Sequence, residues 1–380
     1  MKEELAKPLG LKKAKSPLSQ KRRLTLAAIA GVALIAAAGA SAWWFIPGAK
    51  GPTATAVIAQ SAHAGAGAPT PEETASLPPP GTGLSEIPAP SDNLSDIGTS
   101  NKVTIIDPSA PPPMQLAALP DKDLVEPSDK GPLPRIGADG KRPLEVYARP
   151  SGNDNSGNAR VAIVIGGLGL DPAGTKQAIG DLPGSVTLAF APYGNHLADD
   201  TAAARQAGHE LLLQIPEEPF NYPKTDPGPN TLTTDATADI NKGRLRWFLG
   251  RMTNYVGVTN YMGARFSGEQ NALAPVMQEV AGRGLLYFDD GSSLRSKAAD
   301  IAGGAMPFLR ADLVLDADLD PDAIDASLKQ LRAIARERGY AIATATAFPV
   351  TIERIAAFAA AAAQNGVTLV PLTALLPPPV

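Results

Sequence analysis

The chain has 380 residues, 34 Lys and Arg against 38 Asp and Glu, and a formal charge of −4. That balance gives no basic footprint, so no nucleic-acid partner is expected. With no cysteine, a disulfide framework, a thiolate zinc site and a cysteine nucleophile are excluded, and three histidines (His63, His196, His209) leave little room for metal or proton-transfer chemistry.

Residues 1–23 are a basic tail, expected in the cytoplasm, in which Lys12, Lys13, Lys15, Lys21, Arg22 and Arg23 crowd together. Residues 24–46, LTLAAIAGVALIAAAGASAWWFI, carry no charge and are long enough to cross a bilayer as a helix, which takes roughly 20 residues. Trp43 and Trp44 suit the far interface. Ala40-Ser41-Ala42 offers the competing reading of a cleaved signal, although the span exceeds the roughly 7–15 residues of a signal core. The expectation is a single-pass inner-membrane protein whose C-terminal part is periplasmic.

Residues 47–120 are rich in Pro and Ala, with the runs 78–80 and 111–113 all proline. Too little apolar surface is available there to offset ordering entropy, so the segment reads as a disordered linker. Residues 121–158 mix charges with spaced Leu, Val, Ile and Tyr147, and read as an extended arm along a domain surface.

From residue 159 to 376 the chain alternates between strand and helix patterns. Short apolar runs at 161–167, 185–191, 210–215, 255–260, 285–290, 311–316, 340–345 and 367–372 predict buried parallel strands. Residues 321–338 predict a helix, with Ile324, Leu328, Leu331 and Ile334/Ala335 on one face, Asp320 as N-cap and Gly339 as stop. A second helix is expected over 351–364. Seven or eight such units predict a distorted (β/α)7–8 barrel, with a doubly wound sheet as the alternative.

Within this domain, residues 208–232 (GHELLLQIPEEPFNYPKTDPGPNTL) run as a buried strand into Pro216 and then into an acidic, proline-rich loop. That loop falls where α/β folds build their sites, beyond the carboxyl end of a strand.

The stretches VAIVIGGLGL, LPGSVTLAFAPYG, the 208–232 run, YVGVTNYMGARFSG, LLYFDDGSSLRS and RADLVLD resemble, in order and spacing, the divergent polysaccharide deacetylase family of the NodB-like carbohydrate deacetylases. The resemblance covers essentially all of residues 160–376. It implies a distorted β/α barrel in the cell envelope and, in active members, a divalent metal that polarises an acetamide carbonyl and activates water. It also implies departures here. Gly166-Gly167 stand where the family has an aspartate pair, Gln214 where it has a histidine, Tyr261 for the histidine of Asn-His-Met-Gly, and Ala345-Thr346 for Gly-His. These are poor or impossible zinc ligands. No metal site and no cofactor are therefore expected; a divalent ion such as zinc enters only if a relocated site is active.

For such a relocated catalytic site the candidates are Asp289, Asp290 and Glu218, carboxylates at two strand ends. The plain reading of the aspartates is a turn, with Asp289 capping the next helix. Of the adjacent glutamates, Glu218 is preferred, because the resemblance places methionine at the position of Glu217. Candidate substrate-binding residues are Gln214, Asn260, Tyr261, Arg265 and Arg310; for Arg310 an ion pair with Asp312 or Asp316 is the competing reading. His209, at the amino end of its strand, reads as a packed histidine, and His196 as a weak candidate near the rim. Neither a dinucleotide fingerprint nor G-x-S-x-G occurs.

The sequence thus predicts a membrane-anchored protein that binds an envelope polysaccharide or peptidoglycan-type glycan with a degenerate metal site. An active carbohydrate deacetylase or hydrolase and a structural envelope module are the alternatives.

Overall fold

A computed structural model describes residues 114–151 and 157–377. The expected basic tail, the apolar span 24–46 and most of the linker lie outside the described residues. Among the described residues, no helix is long and apolar enough to cross a membrane.

Residues 116–118, near the end of the segment read as linker, are hydrogen-bonded to the domain. Leu116 N–H donates to Arg205 O at 3.0 Å, and the Arg205 and Asn254 side chains donate to the carbonyls of Ala117 and Ala118. The arm then forms a two-residue antiparallel pair, β1 (Val125–Glu126) with β2 (Leu133–Pro134), and a short helix, α1 (Pro143–Val146).

The domain continues as β3 (Ala159–Leu168), α2 (Pro172–Asp181), β4 (Thr187–Phe190), α3 (Leu197–Gln206), β5 (Leu211–Glu217), α4 (Ala238–Leu249), β6 (Gly257–Met262), α5 (Gln270–Gly282) and β7 (Leu286–Asp289). It ends with α6 (Ala298–Ala302), β8 (Phe308–Arg310), β9 (Leu313–Val314), α7 (Pro321–Arg338), β10 (Tyr340–Thr346), α8 (Pro349–Ala360) and β11 (Val367–Leu369). Every pairing in this sheet is parallel, in the order β8-β7-β6-β5-β4-β3-β10-β9. β11 runs along β3 at Ala159–Val161 and β4 along it from Val164 onward, so the two share one edge of β3 in turn.

The parallel sheet forms a half-barrel whose two end strands, β8 and β9, are separated by only two residues of chain. One extended segment switches partners midway. Ala311 N–H donates to Asp289 O at 2.9 Å, and Asp312 N–H to Ile342 O at 2.8 Å. The single strand expected over 311–316 is split at this switch. There the Asp312 carboxylate, itself paired with Arg338, accepts the Ile342 N–H that a backbone carbonyl would otherwise take.

Strand alternation sorts the core into two layers. Val161, Ile163 and Ile165 of β3 face the helices, while Ala162 and Val164 face the interior of the half-barrel. The interior is filled at its amino end by Leu124, Leu144 and Tyr147 of the arm and by Leu372 and Leu375 near the C-terminus. Open space is left toward the carboxyl ends of the strands. The longest helix forms as its spacing predicts: Ile324, Leu328, Leu331 and Ala335 are buried, Asp320 accepts from the N–H groups of Asp322 and Ala323, and Gly339 ends it at φ +87°.

Candidate functional site

At the carboxyl ends of the strands lies a cavity of about 280 Å³, lined by inward-facing residues from successive strands, among them Gly166, Ala189, Gln214, Thr259, Asp290 and Thr344. Asn260 and Tyr261 complete its wall, with Tyr261 38% exposed at the lip. Four of the sequence candidates therefore meet here: Gln214, Asn260, Tyr261 and Asp290.

Gln214 and the glycine pair form one fitted unit. The Gln214 Oε1 accepts the Gly167 N–H at 2.8 Å. A Cβ on Gly166 would lie 2.7 Å from Gln214 Nε2, so the amide occupies the space a side chain at 166 would need. Gly167 has φ +80°, a conformation an aspartate adopts only with strain. The three departures seen in the sequence are thus a single replacement of donors by a neutral, internally bonded amide.

The two aspartates of 289–290 separate, because successive residues of a strand point to opposite faces. Asp290 lines the cavity. Its Oδ1 accepts the Ser292 N–H, its N–H is held by Asn260 Oδ1 at 2.9 Å, and its carbonyl accepts from Thr344 Oγ1. Burial raises its carboxyl above the usual aspartate range. Asp289 lies on the helix side with Tyr287, and its Oδ1 accepts the Gly291 N–H. The helix that follows starts at Ala298, so Asp289 is not its cap.

Beside Asp289 sits Glu217, a residue the sequence reading passed over in favour of Glu218. Glu217 is fully buried. Its Oε1 accepts from Tyr287 Oη at 3.1 Å, and its Oε2 has no partner. Burial, followed by repulsion from Asp289 and Asp290, drives its carboxyl well above the usual glutamate range. Gly263, at φ +79°, is required here, since a Cβ would meet Glu217 Oε2 at 2.5 Å. The alternative in which Asp289, Asp290 and Glu218 converge on one substrate is not supported by this geometry.

Glu218 anchors loops. Its Oε2 accepts from Thr234 N–H and Oγ1 at 2.6 and 2.8 Å, and its Oε1 pairs with Arg265 at 2.9 Å. Arg265 is thereby held at the rim, outside the cavity. Arg310 is also outside: it donates to Ser293 O at 2.8 Å and stands 3.9 Å from Asp289. The expected pairs with Asp312 or Asp316 do not form. Asp312 pairs with Arg338, and Asp316 accepts Thr346 N–H and Thr351 Oγ1.

His209 is buried, with Nδ1 2.8 Å from Val186 O, and burial lowers its pKa. It is packed, as expected. His196 precedes α3 on the surface. Thr259 and Thr344, which the sequence reading missed, carry a signal only in retrospect, as polar residues at inward strand positions.

A divalent metal of the deacetylase type does not fit this donor set. The cavity offers one carboxylate, Asp290, no imidazole, and an amide oxygen already bonded to Gly167. Among the described residues, no group of three His, Asp or Glu could hold an ion.

A sequence model of the divergent polysaccharide deacetylases matches residues 163–376. The uncharacterized protein YibQ of Escherichia coli (strain K12) is 25% identical over 196 residues, 51% of this chain. This chain spans 60% of that relative's length. The crystal structure of an uncharacterized protein from Agrobacterium tumefaciens C58 is 47% identical with a TM-score of 0.63, covering 64% of this chain and 99% of that one. With the half-barrel, the strand-end cavity and a family match across more than half its length, this chain belongs to the divergent polysaccharide deacetylase family.

Proposed function

We propose that this protein binds a cell-envelope glycan of the peptidoglycan type in the half-barrel cavity, without metal-dependent deacetylation. The observation that carries this reading is the Gly166-Gly167-Gln214 unit, which puts a neutral amide where the resemblance places metal ligands. What remains in the cavity suits a sugar. Asp290, its backbone held in place by Asn260 and Thr344, offers a carboxyl, the Thr259 hydroxyl is buried without a protein partner, and Tyr261 offers an exposed ring at the lip. The apolar span 24–46 anchors the chain in the inner membrane on this reading, its basic tail in the cytoplasm and the family domain in the periplasm.

The test is calorimetric titration of the purified chain with oligomers of N-acetylglucosamine, before and after incubation with zinc, manganese and nickel, with metal content measured in parallel. Binding without retained metal or released acetate is expected, and Tyr261→Ala should weaken it about tenfold. A near-stoichiometric retained ion together with acetate release overturns the reading.

A second reading, hydrolysis with Asp290 as a lone proton carrier, draws on its raised carboxyl inside the cavity. Metal-free turnover lost in Asp290→Asn would favour it.

A further inference from the structure

Beside the cavity is a second depression of about 310 Å³, walled by Phe220, Arg265, Arg295 and Lys297. The same two loops serve both. Residues 261–268 give Tyr261 to the first and Arg265 to the second; residues 290–297 give Asp290 and Ser292 to the first and Arg295 and Lys297 to the second. A chain-like ligand that leaves the cavity over these loops meets the second depression next.

The charges there are unequal in their commitments. Arg265 is held by Glu218 at 2.9 Å and Lys297 by Asp300 at 3.4 Å, and Glu269 lines the same depression. Arg295 has no carboxylate partner among the described residues; its guanidinium lies 5.8 Å from the centre of the Phe220 ring. Phe220 itself is 56% exposed. A planar fork of donors without a carboxylate partner, lying over a largely exposed aromatic ring, matches a ring with one apolar face and a planar anion.

We propose that Phe220, Arg265, Arg295 and Lys297 form a subsite for a carboxylate-bearing sugar residue of the glycan seated in the cavity. The proposal rests on glycan binding by that cavity. Arg295 supplies the donor fork and Phe220 the stacking face, while Arg265 and Lys297, already paired with carboxylates, shape the wall.

Two tetrasaccharides of equal length distinguish the possibilities when titrated into the full chain. One is the neutral N-acetylglucosamine tetramer; the other alternates N-acetylglucosamine with N-acetylmuramic acid bearing free lactyl carboxylates. The acidic probe should bind about tenfold tighter, the gain of a hydrogen-bonded charge. That ratio should shrink as salt is raised. In Arg295→Gln, a substitution at an exposed position, the ratio should fall to about one, whereas Tyr261→Ala should weaken both probes and keep the ratio. Equal affinities in the wild type, or a preference that survives Arg295→Gln, overturn the subsite while leaving glycan binding standing. If neither probe binds, the glycan reading falls and the subsite with it.

Discussion

At the ends of β5 and β7 the inner face of the sheet carries Gln214 and Asp290, while the helix-facing side, a residue or a few away, carries Glu217 and Asp289. Inside, Gln214 and Asp290 each have a bonded neighbour, while the Thr259 hydroxyl is left without a protein partner. Outside, two carboxylates are buried with one oxygen each lacking a hydrogen bond, and Tyr287, the Gly291 N–H and a distant Arg310 face them. Chemistry capable of reading a ligand is therefore on the inner side, and the unresolved electrostatics are behind it. Glu217 and Glu218 set the contrast within two residues, since both are buried carboxylates but only Glu218 is fully engaged.

The largest effect expected from breaking this contrast is on the engaged member. Glu218→Ala removes two hydrogen bonds to a charged group and releases the loop carrying Arg265, and should cost about 3 kcal/mol in urea unfolding. Glu217→Gln should do the opposite. The Gln side chain keeps an acceptor for Tyr287 and removes a carboxyl that at high pH must either take up a proton or bury a charge on folding, so the variant should be more stable than wild type at pH 8 by about 2 kcal/mol. The sign follows from linkage. The Glu217 carboxyl is raised well above 4.5 in the fold, so the folded state holds the proton that the unfolded chain loses. Its stabilising contribution is complete below the unfolded value and is lost as pH rises through the raised one. At pH 4 the two proteins should be nearly equal in stability. A Glu217→Gln variant less stable than wild type at pH 8 would mean that the carboxylate has a partner this geometry lacks.

Much of the frame was legible because it rests on local chemistry. Asp320, Pro321 and Gly339 bound their helix by capping rules, and the short apolar runs near 161, 211 and 340, flanked by turn residues, read as buried strands. The failures are long-range. Nothing near residue 312 announces that its carboxylate will take the Ile342 N–H and split a strand. The partners that engage Glu218 lie at 234 and 265, and the one facing Glu217 at 287, so the choice between the glutamates was not available from their neighbours. The site was half legible. Gln214, Asn260, Tyr261 and Asp290 meet as their strand-end positions predict, but Asp289 was grouped with them although the period of a strand turns it to the other face.

The glycine pair and Gln214 give the smallest and most specific test. Read singly they look like lost ligands; together they are complementary in volume, the amide filling what Gly166 leaves open. Gly166→Ala alone should cost about 1 kcal/mol, because the new methyl must push back Gln214 Nε2, the movable end of a side chain. Gln214→Ala alone should cost a similar amount by leaving the Gly167 N–H without its acceptor. The double variant should then be about 1 kcal/mol more stable than the sum of the single losses predicts, since the methyl meets no amide once the glutamine is gone. Additive losses would mean that Gln214 already yields freely. The amide would then be a loose tenant of the cavity, and an incoming ligand could displace it.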